Sequence, residues 1–525
     1  MSTAPAATHL RRAWLPIAVT AVVSAVLWAV GPAVSDMQAA LAREGAARAG
    51  VGLAYWFDWF GGVSPGSYSL IVPTMSAWIG SLPLLCLSTL AIAAMAYPLS
   101  RRATHPTALA WAVTGAAILN MMSGRVAFAV GAAIALAALL AARRVHPLVG
   151  AAGLLVAGLA SPLAPAFVGM AAVPFLAYSV TRTASTWAVV AGSAAGVAIP
   201  FVLFGAPGSQ VFPATTLFWC LAIAACAWAA ITEPPAKLIV PLSIAAALLL
   251  FFIPTGVGSN IARFFYFVLP CLALYYSRRS PRVLALLLVP ALVYALFVAI
   301  SDLTAAARID DPATSYTPLA EELARDHGLG NHRVELVDAG THVGSHMLAG
   351  TAKLARGWEN QTDARYNPIF YTPDALTADS YRAWLADNAV AYVAVSSKPL
   401  RSMQREADLV GGGLPYLTEI WRNSEWTLYR VADPTDIVPA PLTLVSDSPS
   451  RMVIDVPKAG VFPIRIRPNR YLTARPEADP ATTACITSTD DGWIELHADR
   501  PGRYELQGQF SLRGVFTGDT LTCPS

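Results

Sequence analysis

The chain has 525 residues, of which 55% are hydrophobic and 13% charged, with a mean hydropathy of +0.51. Its net charge of +3 is an average of two unlike parts: residues 1–301 hold 15 Lys+Arg and four Asp+Glu, whereas residues 302–525 hold 21 and 29. The mild overall basicity therefore says nothing about nucleic acid, and the low charged fraction excludes an ordinary soluble domain throughout: the chain reads as a membrane domain over 1–301 followed by a soluble domain.

In chain order, apolar runs of roughly membrane-spanning length fall at 14–34, 78–98, 107–122, 126–142, 147–161, 166–181, 186–204, 215–231, 238–254, 264–277 and 283–301. Eleven helical spans are therefore predicted. Arg11, Arg12, Arg101, Arg102, Arg143, Arg144, Arg182, Lys237, Arg278, Arg279 and Arg282 all lie on alternate connections. The other connections carry only Arg43, Arg48, Arg125 and Arg263. The positive-inside rule puts the N-terminus in the cytoplasm and the C-terminal domain outside a plasma membrane. The first run has a longer apolar core than a cleaved signal and reads as a signal anchor. The Ala-rich residues before it are expected to be disordered.

The first outer loop, residues 35–77, contains three of the four acidic residues of the membrane part: Asp36, Glu44 and Asp58. Asp36 follows the first span at the water–lipid boundary, and MQAALAREGAARA reads as a short amphipathic helix on whose polar side Glu44 sits. In AYWFDWFGGVSPGSYSL, Asp58 lies between aromatics and is followed by Gly61, Gly62, Pro65 and Gly66. A carboxylate in that setting is desolvated unless a cation or metal compensates, and Gly and Pro permit a backbone path close to a ligand. The plainer alternative has Asp36 capping the helix and Asp58 paired with Arg43 or Arg48. Arg125, in the turn between spans three and four, and Arg263, closing PTGVGSNIAR, stand at the mouths of spans. There guanidinium groups clamp phosphate, with Asn260 as an added donor; the alternative is a pair of arginines contacting lipid headgroups.

The soluble part reads as an α/β domain over 302–435 and a small β-sandwich over 436–525. In the first, LAEELARD, SHMLAGTAKLA, ADSYRAWLADN and LRSMQREADLV are helical. HRVELVDA and AVAYVAVSS are strands, closed by the strand pair LTEIWRN and WTLYRVA. In the second, MVIDV, FPIRIRP, WIELHA and YELQGQFS alternate apolar and polar residues between turn signals. Cys485 and Cys523 are predicted to be disulfide-bonded. The stretch RGWENQTDARYNP gathers Arg356, Glu359 and Asp363 about Trp358, suited either to an acceptor or to holding a loop between domains. DAGTHVGSH places His342 and His346 four apart but lacks the glutamate of a zinc protease, so no metal site is assigned. No phosphate-binding glycine loop, GxGxxG after a strand, nucleophile elbow or CxxC pair is present, so no nucleotide-binding site is expected.

A cytoplasmic N-terminus, about eleven spans, a long acidic first outer loop with an amphipathic helix, and an extracytoplasmic C-terminal domain together resemble the C-type membrane glycosyltransferases. The RGWE stretch also resembles one in actinobacterial integral membrane proteins of this build. The resemblance implies transfer of a sugar from a polyprenyl-phosphate carrier to an envelope glycan or lipid acceptor at the outer face. It implies Asp36 as base, Asp58 as second acid, and Arg125 and Arg263 on the carrier phosphate. No cofactor is predicted, although a divalent metal is compatible. The sequence departs from the family in separating the two acids by 22 positions, which leaves open which of them is the base. A transporter or lipid flippase of envelope precursors is the competing reading, disfavoured by the lack of Asp, Glu or Lys inside the spans. A non-catalytic envelope assembly protein is the other.

Overall fold

A computed structural model describes residues 4–205, 208–309, 311–338, 342–399, 403–518, 521 and 523, with backbone alone over 4–13. The described chain divides into two compact units, 1–40 with 68–306, and 41–67 with 307–525. The sequence boundary at 301/302 thus comes close to the second unit's start. The surprise is that 41–67, the middle of the first outer loop, belongs to that second unit.

The first unit is helical. Its helices in chain order are α1 (Ala4–Val30), α2 (Ser35–Arg48, shared with the second unit), α3 (Val72–Ile79), α4 (Ser81–Ser100), α5 (Pro106–Met122), α6 (Val126–Arg144) and α7 (Pro147–Ala160). They continue with α8 (Leu163–Ala172), α9 (Ala184–Phe204), α10 (Ala214–Ala230), α11 (Pro234–Lys237), α12 (Ile239–Phe252), α13 (Leu269–Tyr276) and α14 (Pro281–Ala306). Most apolar runs of the sequence coincide with one of these helices, whereas the run 166–181 is divided between α8 and a 3₁₀ turn, Val173–Ala177, and the run 264–277 between a π-helical turn, Phe264–Val268, and α13. Among the described residues five helical stretches are individually long and apolar enough to cross a membrane, or six if the bent pair α1–α2 counts as one span. Four more apolar helices are shorter. The chain is a multi-pass membrane protein. Its first helix begins at Ala4, inside the Ala-rich stretch for which disorder is expected; residues 1–3 lie outside the described residues.

Small residues set the helix spacing. A Cβ on Gly158 would lie 1.9 Å from the Gly196 carbonyl oxygen, and one on Gly192 would lie 2.6 Å from the Ala151 backbone. Helices α7 and α9 therefore cross backbone to backbone, as membrane helices do when glycine and alanine line their interface.

In the second unit, β1 (Arg333–Val337), β2 (Lys353–Leu354), β3 (Val390–Ser396), β4 (Leu417–Arg422) and β5 (Trp426–Val431) form one sheet of order β2-β1-β3-β5-β4. The β1 pairings are parallel and the β3–β5 and β4–β5 pairings antiparallel. Helices α15 (Pro312–Leu323), α16 (Gly344–Met347), α17 (Asn360–Tyr366), α18 (Ala378–Asp387) and α19 (Gln404–Gly411) connect or flank these strands. One expectation is corrected here. SHMLAGTAKLA is not one helix but the four-residue α16 followed by β2. Gly350 takes φ +79°, and the Leu354 N–H donates to the Asp58 carbonyl at 2.7 Å.

The sandwich pairs β6 (Thr443–Ser448), β7 (Arg451–Val456), β12 (Gly502–Gly508) and β9 (Leu472–Pro476) in one sheet, and β10 (Cys485–Ser488), β11 (Ile494–Ala498) and β8 (Gly460–Ile464) in the other. A short helix, α20 (Leu512–Phe516), follows. Inward residues alternate along the strands and bury Ile454, Val456, Ile464, Leu496 and Leu506 together. Cys485 and Cys523 are bonded.

Candidate functional site

In the first unit the site is assembled by close backbone approach. Helix α1 ends at Val30, Gly31 takes φ +55°, and the axis bends by 73° into α2. This leaves Asp36 in the first turn of α2, where the positive end of the helix dipole favours a carboxylate. The turn between α5 and α6 is Ser123-Gly124-Arg125. Gly124 has φ +73°, and a Cβ there would lie 2.6 Å from Val34 Cγ2 and 2.8 Å from the Met37 amide nitrogen. Only glycine lets this turn sit directly on the start of α2, and that seating delivers Arg125 to Asp36. Asn120 Nδ2 donates to the Arg125 carbonyl at 3.3 Å and steadies the turn.

Arg125 is the hub. Its Nε donates to Asp36 Oδ2 at 2.8 Å, and its Nη2 to Asp302 Oδ2 at 3.3 Å. Its Nη1 is buried and has no hydrogen-bond partner among the described residues. An unpaired nitrogen on a buried guanidinium costs about 1–3 kcal/mol, so this edge is one that an entering acceptor atom would satisfy. Arg263 makes no ion pair among the described residues and lies over the Phe128 ring at 5.5 Å. It lies near Arg125, Asp36, Tyr68 and Tyr266. It precedes a π-helical turn, Phe264–Val268, a local irregularity that recurs at functional positions. Asn260 lies three residues earlier in a 3₁₀ turn, Gly258–Ile261.

Alongside runs an apolar cavity of about 460 Å³. Asn120 and Phe128 line it near the arginines, Phe167 and Phe175 lie between, and Arg143 and Tyr275 line its other end. The α6 residues that line it run from Phe128 to Arg143, roughly 22 Å of helix at 1.5 Å per residue.

The sequence singled out Asp36, Arg125, Asn260 and Arg263, and all four lie in this one unit. Asp302, Tyr266 and Tyr68 were not singled out. For Asp302 a signal existed: VSDM at 34–37 and ISDL at 300–303 place the same Ser-Asp pair after the first and last long apolar runs.

Asp58 lies in the other unit, and its surroundings are those of a core. Tyr55 and Phe57 enter the sandwich core, while Trp56 Nε1 donates to Asp58 Oδ2 at 3.1 Å. Burial pushes the Asp58 carboxyl up from 3.8 to about 6, opposed by nearby Lys353 and by the Trp56 hydrogen bond. Gly61 and Gly62 pack against side chains of this unit. A Cβ on Gly62 would lie 1.6 Å from the Tyr55 hydroxyl, and one on Gly61 would lie 2.8 Å from the Trp493 ring. Arg43 pairs with Glu359 and Arg48 with Glu44; among the described residues no ion pair of Asp58 with either arginine is seen.

The RGWE residues are also engaged inside the second unit. Arg356 holds Asp363 by two edges, Nε to Oδ1 at 3.0 Å and Nη2 to Oδ2 at 2.7 Å. Its Nη1 reaches Glu406 at 3.2 Å and Glu335 at 3.4 Å. Asp363 further accepts from Asn367 at 2.8 Å and Tyr371 at 2.6 Å. Glu359 accepts from Arg43 and from Thr362, and Trp358 is half-buried. A Cβ on Gly357 would lie 2.8 Å from the Trp59 ring. The glycine of RGWE is thus the seat of the first-loop aromatics. Residues 339–341 of the DAGTHVGSH stretch lie outside the described residues, and among those described no group of three or more His, Cys, Asp or Glu is placed to hold a metal.

Fold and site together define a multi-pass membrane protein with a carboxylate–arginine cluster beside an apolar cavity, joined to an α/β and β-sandwich unit. No protein-family model and no curated protein matches the sequence. Among solved structures, the crystal structure of ArnT from Cupriavidus metallidurans bound to undecaprenyl phosphate is similar at 13% identity and a TM-score of 0.44, over 79% of this chain and 97% of that one.

Proposed function

We propose that the chain transfers a sugar from a polyprenyl-phosphate carrier to a hydroxyl of an envelope glycan or lipid, at the outer face of the plasma membrane. The observation that carries this reading is the juxtaposition, within one unit, of a carboxylate, two arginines and an apolar cavity. The cavity suits an isoprenoid chain. Arg125 Nη1 and Arg263 suit the phosphate, whose charge they neutralise. Asp36 suits the base. The acceptor oxygen attacks the anomeric carbon as its proton passes to the Asp36 carboxylate. The carbon–oxygen bond to phosphate breaks, and its electron pair leaves with the phosphate onto the arginines. A single displacement of this kind inverts the anomeric centre and needs one base. The alternation of basic loops supports the outer face.

The test uses the full-length chain. Asp36→Asn, expressed to the wild-type level in the native host, is expected to remove one envelope sugar linkage. Arg125→Gln and Arg263→Gln are expected to weaken binding of undecaprenyl phosphate by purified protein. An unchanged glycan profile in Asp36→Asn cells sinks the transferase reading, and carrier lipid redistributed between leaflets would favour a flippase.

A further inference from the structure

We infer that α20, the short helix after the last sandwich strand, is a membrane-surface anchor by which one end of the second unit rests on a bilayer containing anionic lipid. Strand β12 ends at Gly508, where a Cβ would lie 2.5 Å from Tyr55 Cβ. The chain then turns out of the sandwich. Phe510 lies against Tyr471 with ring centroids 5.2 Å apart, and Ser511 Oγ accepts from the Gly514 N–H at 3.0 Å, capping the helix. A Cβ on Gly514 would lie 2.7 Å from the Arg470 carbonyl oxygen and 2.9 Å from the Tyr471 ring, so α20 is seated by this side. Leu512 and Phe516, four positions apart and so on one face, are left 76% and 87% accessible, with Phe510 46% accessible.

Exposed side chains of this size, gathered on a helix of five residues, mark a surface that something covers. They carry no hydrogen-bonding group with which to recognise a glycan. Their surroundings are basic. Residues 463–476 and 506–518, which run through this end of the sandwich, contain five arginines and no Asp or Glu. Two of the five are taken up inside: Arg465 donates to the Asp436 carbonyl at 3.0 Å, and Arg467 lies 3.5 Å over the Trp493 ring. Of the others, Arg513 lies on α20, Arg470 meets it through its carbonyl, and Arg475 donates to Gln509 just before it. Apolar side chains beside arginines suit a membrane surface, the former entering the acyl boundary and the latter meeting anionic headgroups. A second copy of the chain fits less well, because pairing this patch with itself would set the arginines against their own copies. This is also the end at which segment 41–67 leaves the second unit. Asn469 Nδ2 donates to Ser64 Oγ at 2.9 Å, and at Tyr68 the chain passes into the membrane unit.

The test places tryptophan probes in the full-length protein, reconstituted in nanodiscs of phosphatidylcholine and phosphatidylglycerol with ordinary or brominated acyl chains. Each variant is read as its emission less that of the wild type. The added emission of Phe516→Trp and of Leu512→Trp is expected to be blue-shifted and largely lost with brominated chains. Val461→Trp is the control. Val461 is exposed just after the 457–459 turn, at the far end of the sandwich from α20, since Val456 pairs with Gly502 at the start of β12. Its added emission is expected to persist. Quenching at 516 is expected to weaken in phosphatidylcholine alone, and also when Phe516→Trp carries Arg513→Gln. Quenching at 512 and 516 no greater than at 461 overturns the inference. A blue shift at 516 without quenching also overturns it, because protein and not lipid then covers the patch. Quenching indifferent both to phosphatidylglycerol and to Arg513→Gln overturns the part given to the arginines.

Discussion

Arg43 and Glu359 stand 316 positions apart in the chain and meet as a buried ion pair, with side chains 2% and 3% accessible. The Arg43 guanidinium also lies 5.0 Å above Trp59. The pair joins the first outer loop to the RGWE stretch inside the second unit. Removing one partner strands a buried charge, which costs about 3–5 kcal/mol. Arg43→Met is therefore expected to lower the unfolding midpoint of the full-length protein markedly, and Arg43→Met with Glu359→Leu to recover most of the loss. Thermal unfolding followed by tryptophan emission checks both.

Arg356 balances Glu335, Asp363 and Glu406. Burial, then the neighbouring Glu406 carboxylate, pushes Glu335 well above the usual carboxylate range. Arg356→Ala is expected to destabilise by more than about 3 kcal/mol. Arg356→Lys is expected to recover only part of this, since an ammonium cannot grip Asp363 by two edges. The same unfolding measurement, compared across the two variants, decides it.

Asp58 makes stability depend on pH. Its folded value of about 6 lies above the ordinary aspartate value of 3.8, so between those values the folded state holds more protons than the unfolded one. Stability then falls as pH rises through this window and is regained as pH falls. Asp58→Asn keeps an acceptor for Trp56 and removes the buried charge. It is expected to raise the unfolding midpoint at pH 8, by about 3 kcal/mol in free energy, and to leave it unchanged below about pH 3. Equal gains at both pH values would show that the carboxyl is not the cause.

The Cys485–Cys523 bond closes a stretch with a sequence separation of 38. By the loop-entropy account, its removal in Cys485→Ser with Cys523→Ser is expected to cost about 2–4 kcal/mol. A midpoint insensitive to reductant in the wild type would contradict this.

How much of this was legible depended on the range of the interaction. Local patterns were readable: most apolar runs became helices, and the alternation of MVIDV or WIELHA became a sandwich strand. Asp36 and Arg125 stood out because carboxylates are rare in the membrane part and because Arg125 occupies a tight glycine turn. Asp302 did not, because it was counted with the soluble domain one residue past the last apolar run. The aromatics around Asp58 resembled an interfacial belt. What makes them a core is pairing with Leu354, Pro449 and Arg467, hundreds of positions away, and no local pattern encodes that. RGWENQTDARYNP was recognisable as unusual, but the partners that claim Arg356 include Glu335 and Glu406, which the stretch itself does not contain.

The chain leaves the first unit after Ala40 and again after Ala306. Each departure comes four residues, about one helical turn, beyond an aspartate held by Arg125. Both aspartates are held by the same side chain. Arg125 thus fixes, within the first unit, two stretches of backbone that are 266 positions apart in the chain.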